Sequence, residues 1–463
     1  MSEKSNAIPT ELGTEKIGKL LKQYALPAII AQTAASLYNM VDSIFIGQGV
    51  GPLAISGLAV TFPLMNLSTA FGTLVGAGAA TMLSVLLGQK NYKAANKVLG
   101  NVVTLNTIIG IAFMAIALIF IDPILYFFGA SENTLPYARE YISIILVGNV
   151  ITHLYFGLNA AMRSSGNPKK AMGLTIFTVA FNTILDPIFI FVFDMGIAGA
   201  AWATVIAQTV AMVVVMMHFN DKRRPFHFEK GIFRLDMRVA KDSLTIGMGP
   251  FLMNAAACLV TLFIIQQLRE YSGDLGIGAY GICNRFIFMF IMICMGLNQG
   301  MQPIAGYNYG ARQYSRVKEV FWKTARIAMA MTTVCFIFGM FFPKAAAGIF
   351  THDSQLLDLS ARALRITTLV FPIVGFQMIA TNFFQSLGMV RKSIILSLSR
   401  QILFLLPLLY LLPLSLESDG VWISFPISDT LSTILTVILL GRLFKKFSQL
   451  KDGDDPSILG SQL

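Results

Sequence analysis

The chain is divided into apolar stretches each long enough to cross the hydrocarbon core of a bilayer, and that leaves it few ways to fold. A spanning helix needs ~20 predominantly apolar residues. Inside lipid every backbone amide must be satisfied within the protein, so only helices and closed barrels cross. Twelve such stretches are readable, at 21–46, 55–86, 97–121, 138–162, 171–193, 197–219, 244–267, 278–304, 319–342, 363–386, 393–412 and 421–443. They are apolar all round rather than alternating, which argues against an outer-membrane barrel. Composition agrees, with 55% hydrophobic and 13% charged residues, against roughly 45–50% and 25% in soluble domains. Several stretches carry a proline (Pro27, Pro63, Pro187, Pro303, Pro372, Pro407, Pro426), which a bundle tolerates because neighbours re-satisfy the freed carbonyls. The expected fold class is an all-α integral membrane protein.

Two loops recur at one spacing. Gly88-Gln-Lys-Asn-Tyr92…Val98 aligns with Gly310-Ala-Arg-Gln-Tyr314…Val320, and Ser164-Ser-Gly166-Asn-Pro-Lys169-Lys170 aligns with Ser386-Leu-Gly388-Met-Val-Arg391-Lys392, both 222 positions apart. Two coincidences at one offset point to a duplicated chain with six spans in each repeat. Duplicated membrane chains are typically transporters with a site at the repeat interface. The expected organisation is an N-terminal lobe at 1–220, a linker at 221–242, a C-terminal lobe at 243–447 and a tail at 448–463, disordered from Ser448 onward.

The net charge of +11 suggests nucleic acid, but its distribution speaks for topology. With both termini and the even-numbered loops inside, 29 of the 35 Lys and Arg fall on the cytoplasmic side, seven of them in the central linker and three around loop 10–11. That bias orients membrane proteins. The chain is therefore expected in the cell (inner) membrane, multi-pass, as a monomer among lipid, with cytoplasmic termini and no nucleic-acid partner. The N-terminus does not read as a cleavable signal, since mixed polar residues precede a long span. Cys258, Cys283, Cys294 and Cys335 sit inside spans without metal-type spacing, and read as small apolar side chains.

Charge inside a bilayer costs ~2.5–3.5 kcal/mol on insertion scales, so each such residue needs a reason. The first span carries Asp42. The fifth carries Asn182-Thr-Ile-Leu-Asp186-Pro187, in which Asn182 and Asp186 share a helical face and Pro187 deprives the Thr183 carbonyl of its helical donor. Carboxylate, amide oxygen and carbonyl suit a small hard cation or a titrating acid, and the sixth span adds Thr204. The rival reading is that both acids lie near outer helix ends and are simply solvated. Against it, the 222 offset carries Asp42 onto Ile264 and Asp186 onto Leu408, so ionisation belongs to the first repeat. Other polar groups are open to two readings: His153 as packed or relaying protons, Arg285 as snorkelling or countering an acid, Asp429 as a second site. Met289, Met292 and Met295 form a stripe that fits core packing or an adaptable pocket. Gly72 and Gly76 allow close helix contact.

Asp42 within Asn-Met-Val-Asp-Ser-Ile-Phe-Ile-Gly, the Gly88…Tyr92 loop, Arg163-Ser-Ser-Gly166, Asn182-Thr-Ile-Leu-Asp186-Pro187 and Gly199-Ala-Ala-Trp-Ala-Thr204 resemble the MATE (multidrug and toxic compound extrusion) transporters, most closely the DinF/MepA-like branch. The resemblance covers about Lys16 to Phe447. It implies twelve transmembrane helices in two pseudo-symmetric six-helix lobes forming a V. It also implies efflux of organic, often cationic amphiphilic, drugs in exchange for Na⁺ or H⁺, with no cofactor and no metal beyond possible Na⁺. By the family pattern Asp42, Asn182, Asp186 and Thr204 correspond to a cation site, with Tyr141 as a neighbour, and Pro27, fifteen residues before Asp42, is a candidate hinge. Substrate-contacting residues are not identified. An acid that another branch carries in the seventh span is missing from Phe251-Leu-Met-Asn-Ala-Ala-Ala-Cys258. The alternatives are a MATE-type exporter of an organic acid or metabolite, or a flippase for lipid-linked sugars, which would need a cationic cavity. An enzyme is not expected, because no reactive constellation is present.

Overall fold

The computed structural model describes residues 10–229, 231–351 and 353–455; Lys4, Lys230 and the tail beyond Asp455 lie outside the described residues. Among the described residues all regular structure is helical. Six long helices make the first half: α1 Ile17–Gly49, α2 Pro52–Gly88, α3 Tyr92–Ile119, α4 Leu135–Ser164, α5 Pro168–Val192 and α6 Gly196–Asn220. The second half has α7 Met237–Gly273, α8 Leu275–Gly310, α9 Tyr314–Phe341, α10, α11 Val390–Leu411 and α12 Pro413–Ser448. Helix α10 is a bent pair, Ser354–Thr368 and Phe371–Ser386, at 55° to one another. Among the described residues ten helices are long and apolar enough to cross a membrane, eleven with α10 taken as one span, and the first span falls on the 33-residue α1.

The duplication is visible atom by atom at the loops. After α2, Gln89, Lys90 and Asn91 donate to the carbonyls of Val85, Leu87 and Leu86; after α8, Ala311, Arg312 and Gln313 donate to Tyr307, Tyr309 and Asn308. That is the left-handed helix cap whose two crossing bonds satisfy the last carbonyls, and Lys90 and Arg312 hold its positive φ at 59° and 58°. The second loop pair repeats the pattern with glycine at the special position, Gly166 at φ 93° and Gly388 at φ 70°. Both pairs are 222 residues apart.

Contacts group the chain into two units. One contains Ile30–Phe251; the other contains Glu15–Ile29 and the chain from Leu252 onward. This grouping differs from the one the repeat suggests, since α1 and α7 each divide their length between the units. The two dividing points, after Ile29 and after Phe251, again lie 222 residues apart, each just beyond a proline (Pro27, Pro250).

Within the first unit, α2 lies close against α4. A Cβ on Gly72 would come within 3.0 Å of His153, and one on Gly76 within 3.4 Å of Gly157, as the small-residue spacing predicts. The linker is seated on α3: Asn96 donates to Glu229 (2.7 Å), Thr104 to the Phe233 carbonyl (2.8 Å), and Lys97 pairs with Asp236 (3.1 Å).

The tail corrects an expectation. Up to Asp455 it is held, not disordered. Gly453 N–H donates to the Arg312 carbonyl (2.8 Å), the Tyr314 hydroxyl donates to the Asp454 carbonyl (2.8 Å), and Ser315 donates to Asp452 through both its N–H (2.9 Å) and its hydroxyl. The reason is local: α9 begins at Gln313, whose side chain does not cap it, and Asp452 supplies an acceptor to the unsatisfied N-terminal amides.

Candidate cation site

Asp42 and Asp186 are buried. Asp42 keeps 6% of its exposure and Asp186 none, so the solvated reading does not hold. Asp186 sits at the end of the α-helical part of α5. Immediately after Pro187 the chain passes into a π-helical turn, Ile188–Val192, that leads to the turn before α6; such turns arise where the ordinary bonding ladder is interrupted. Ile190, on that turn, packs in a core with Ile46, Leu58, Tyr141 and Ala200.

Asn182 donates its amide to Asp186 Oδ1 at 2.8 Å, the contact expected at i, i+4. Tyr38, one turn before Asp42, shares a hydrogen bond with the Thr204 hydroxyl at 3.1 Å, joining α1 to α6. Tyr38, Asp42, Tyr141 and Asp186 lie within electrostatic reach of one another. Asp42 Oδ1 and Asp186 Oδ2 are buried without a hydrogen-bond partner among the described residues. Two carboxylates enclosed together repel unless a cation or a proton lies with them. The site residues read from the sequence (Asp42, Asn182, Asp186, Thr204, Tyr141) are thus brought together in one unit, and Pro27 is grouped with the other. Tyr38 was missed; its spacing of four from Asp42 on a helix was the available signal.

The remaining polar groups divide clearly. His153 is fully buried and its Nε2 bonds the Ser68 carbonyl at 2.9 Å, which fits packing. Arg285 is exposed. The methionine stripe grades from exposed Met289 to buried Met292. Asp429 is 5% exposed and accepts from Arg400 Nε at 2.6 Å, while the Ser428 hydroxyl bonds the Arg400 carbonyl at 2.6 Å. Arg400, one of the three cations that the sequence places around loop 10–11, lies inside the span α11, on its own π-helical stretch, Ser399–Leu405.

The MatE family model matches this chain twice, over residues 27–188 and 250–411. The chain belongs to the MatE family. The multidrug export protein MepA of Staphylococcus haemolyticus (strain JCSC1435) is 27% identical over 430 residues, 92% of this chain and 94% of its own length. MepA of Staphylococcus aureus (strain MRSA252) is 26% identical over 439 residues, covering 94% and 97%. Among solved structures, the MATE multidrug transporter DinF-BH is 36% identical, with a TM-score of 0.87 over 95% of this chain and 98% of that one. An outward-facing multidrug resistance MATE transporter, 22% identical with a TM-score of 0.89 over 96% and 100%, shows the fold alone. The chain is a multi-pass MATE transporter of the multidrug export type, built on the twelve-helix fold.

Proposed function

We propose that this MatE transporter exports organic, cationic amphiphilic compounds from the cytoplasm in exchange for Na⁺ or H⁺, and that Asp42, Asn182, Asp186 and Thr204 hold the driving cation. The observation that carries this is the pair of buried carboxylate oxygens, one on α1 and one on α5, left without hydrogen-bond partners among the described residues. Carboxylate, amide and hydroxyl oxygens form a hard donor set suited to Na⁺, and the same carboxylates can take a proton. Either cation supplies the positive charge that two enclosed acids require. Asn182 orients Asp186, Tyr38 holds α1 against α6, and the Tyr141–Ile190 core keeps water out.

Occupancy shifts a conformational equilibrium only if the cation is bound differently in the two states. Donors on α1, α5 and α6 meet that condition once α1 moves, with Pro27 as the hinge because its missing N–H weakens the helix there. A charge crossing the full field gains ~2.3 kcal/mol per 100 mV, enough for one or two cations per cycle to drive accumulation. The substrate assignment rests on two relatives, MepA, a multidrug export protein, and DinF-BH, a multidrug transporter.

The test is drug efflux from vesicles under an imposed Na⁺ or pH gradient, with drug binding measured in parallel. Asp42→Asn together with Asp186→Asn should leave binding and remove pumping. Full gradient-driven efflux by that double variant would refute the site. The orientation we propose, with both termini and the 221–242 linker in the cytoplasm, is checked by a cysteine placed at Arg224, which should not label from outside intact cells.

A further inference from the structure

A cavity outside the acid site lies in the second unit. It is a groove of about 590 Å³ between α9, α10 and α12, lined by Met340, Leu369, Pro426, Ile427 and Leu431, with Arg365 at its edge. Its size falls within the range of ordinary ligand pockets. The groove exists because α10 breaks at Leu369–Val370 and turns by 55°, so that the helix no longer fills the space beside α12. Leu369, Ile427 and Leu431 are each more than a third exposed; Ile427 and Leu431 lie on the membrane-spanning α12, and Leu369 at the break of α10.

Arg365 is the cation that lines this groove. Lys344 pairs with Asp358 (2.7 Å), and Arg362, on the same helix as Arg365, pairs with Asp419. Arg365 stands almost one turn further along α10 than Arg362, towards the apolar segment. It is exposed, and it has neither an ion-pair nor a hydrogen-bond partner among the described residues. A guanidinium facing hydrocarbon is costly unless an anion or water reaches it. A guanidinium also matches phosphate with two parallel hydrogen bonds, which an ammonium cannot do.

We propose that this groove is a binding site for an anionic phospholipid, one acyl chain lying along Ile427 and Leu431 and the phosphate resting on Arg365. Charge complementarity selects the headgroup. A zwitterionic lipid brings its own ammonium to the phosphate and weakens the contact; a net-anionic one does not. The groove selects a chain rather than a free ion, because Arg365 is its one charged lining residue. The inference needs only that the chain resides in a bilayer, and is independent of which cation drives transport.

The full-length protein in neutral detergent should be given phosphatidylglycerol or phosphatidylcholine with identical acyl chains, and retained lipid counted by native mass spectrometry. Phosphatidylglycerol should be retained about fivefold better, the factor one basic residue near a lipid surface supplies. Arg365→Gln should abolish that preference in a monodisperse, folded protein, and Arg139→Gln, a cation of the other unit, should leave it intact. Ile427→Trp fills the groove while keeping Arg365, and should lower retention of both lipids. Equal retention of the two lipids by the native chain would overturn the proposal, as would an undiminished preference in Arg365→Gln. An Arg365 that merely reaches water predicts that second result.

Discussion

Asp186 and Asp429 are both buried acids, and both are associated with the π-helical stretch of their half's fifth span. In the first half that span, α5, ends its α-helical part at Asp186, and the acid's companions are a second carboxylate and an amide. In the second half the corresponding span, α11, places Arg400 in the π stretch and closes it onto Asp429 of α12. The same backbone plan therefore encloses net negative charge once and a neutral pair once. A neutral pair needs nothing from outside, whereas an acid pair needs a cation. On the function proposed above, coupling belongs to the first half, and the second half's charges serve its own packing.

The sharpest way to break this comparison is to neutralise one acid in each half. Asp186→Asn removes half of the demand for a cation and should reduce gradient-driven efflux to the leak rate. Asp429→Asn leaves Arg400 partly exposed to solvent and should keep most of it. Equal loss at equal expression would show that the second half is coupled as well.

Much of this was legible in the sequence, for one physical reason. Spans, repeat loops and the Asn182…Asp186 spacing are local patterns, and a bilayer enforces them locally. The partnership of Arg400 with Asp429 joins two helices across 29 residues, and no local pattern reports it. Arg400 follows Arg391 and Lys392 closely, and so reads as one more loop cation. Tyr38 was hidden for a related reason: its partner Thr204 is 166 residues away. The acids of the tail resemble a solvated run until Asp452 is seen to accept from the Ser315 amide, with the Gly453 amide anchoring the same segment on the Arg312 carbonyl.

The neutral pair makes a second prediction, about stability. Arg400→Gln strands the Asp429 carboxylate in an apolar setting. Losing one partner of a fully buried pair costs ~3–5 kcal/mol, and Arg400, with 26% of its side chain exposed, should cost less because solvent screens it. Thermal unfolding in detergent should show Arg400→Gln destabilised, and Arg400→Gln with Asp429→Asn largely restored. No restoration would mean that the arginine acts by packing rather than by charge.

A smaller effect is expected at the first-half site. Tyr38→Phe removes the bond to Thr204 while keeping the ring. A typical hydrogen bond contributes ~1 kcal/mol, so the cation concentration for half-maximal efflux should rise about fivefold with the maximal rate little changed. A change in rate alone would place Tyr38 in the moving step instead of the site.

The smallest difference between the halves lies at their duplicated turns. Helix α3 is capped by its own Asn91, which accepts from the Ala94 amide at 3.2 Å. The equivalent position before α9 is Gln313, whose side chain makes no such cap, and the tail's Asp452 reaches across to Ser315 in its place. Burial raises the Asp452 carboxyl, but the hydroxyl and amide of Ser315 outweigh it and hold the group below the usual carboxylate range. A carboxyl lowered in the folded state adds stability that is complete above its unfolded value and is lost as pH falls through the folded one. The tail should therefore stay docked at neutral pH and come loose in acid, below the ordinary carboxylate range. Asp452→Ala should cost about 1 kcal/mol, the usual worth of a cap, and should raise hydrogen exchange at Ser315 and Arg316. Gln313→Asn, which gives the second half the cap the first already has, should recover that loss in the Asp452→Ala background. If exchange at the start of α9 is unchanged by Asp452→Ala, the tail is not its cap and the two turns differ only in sequence.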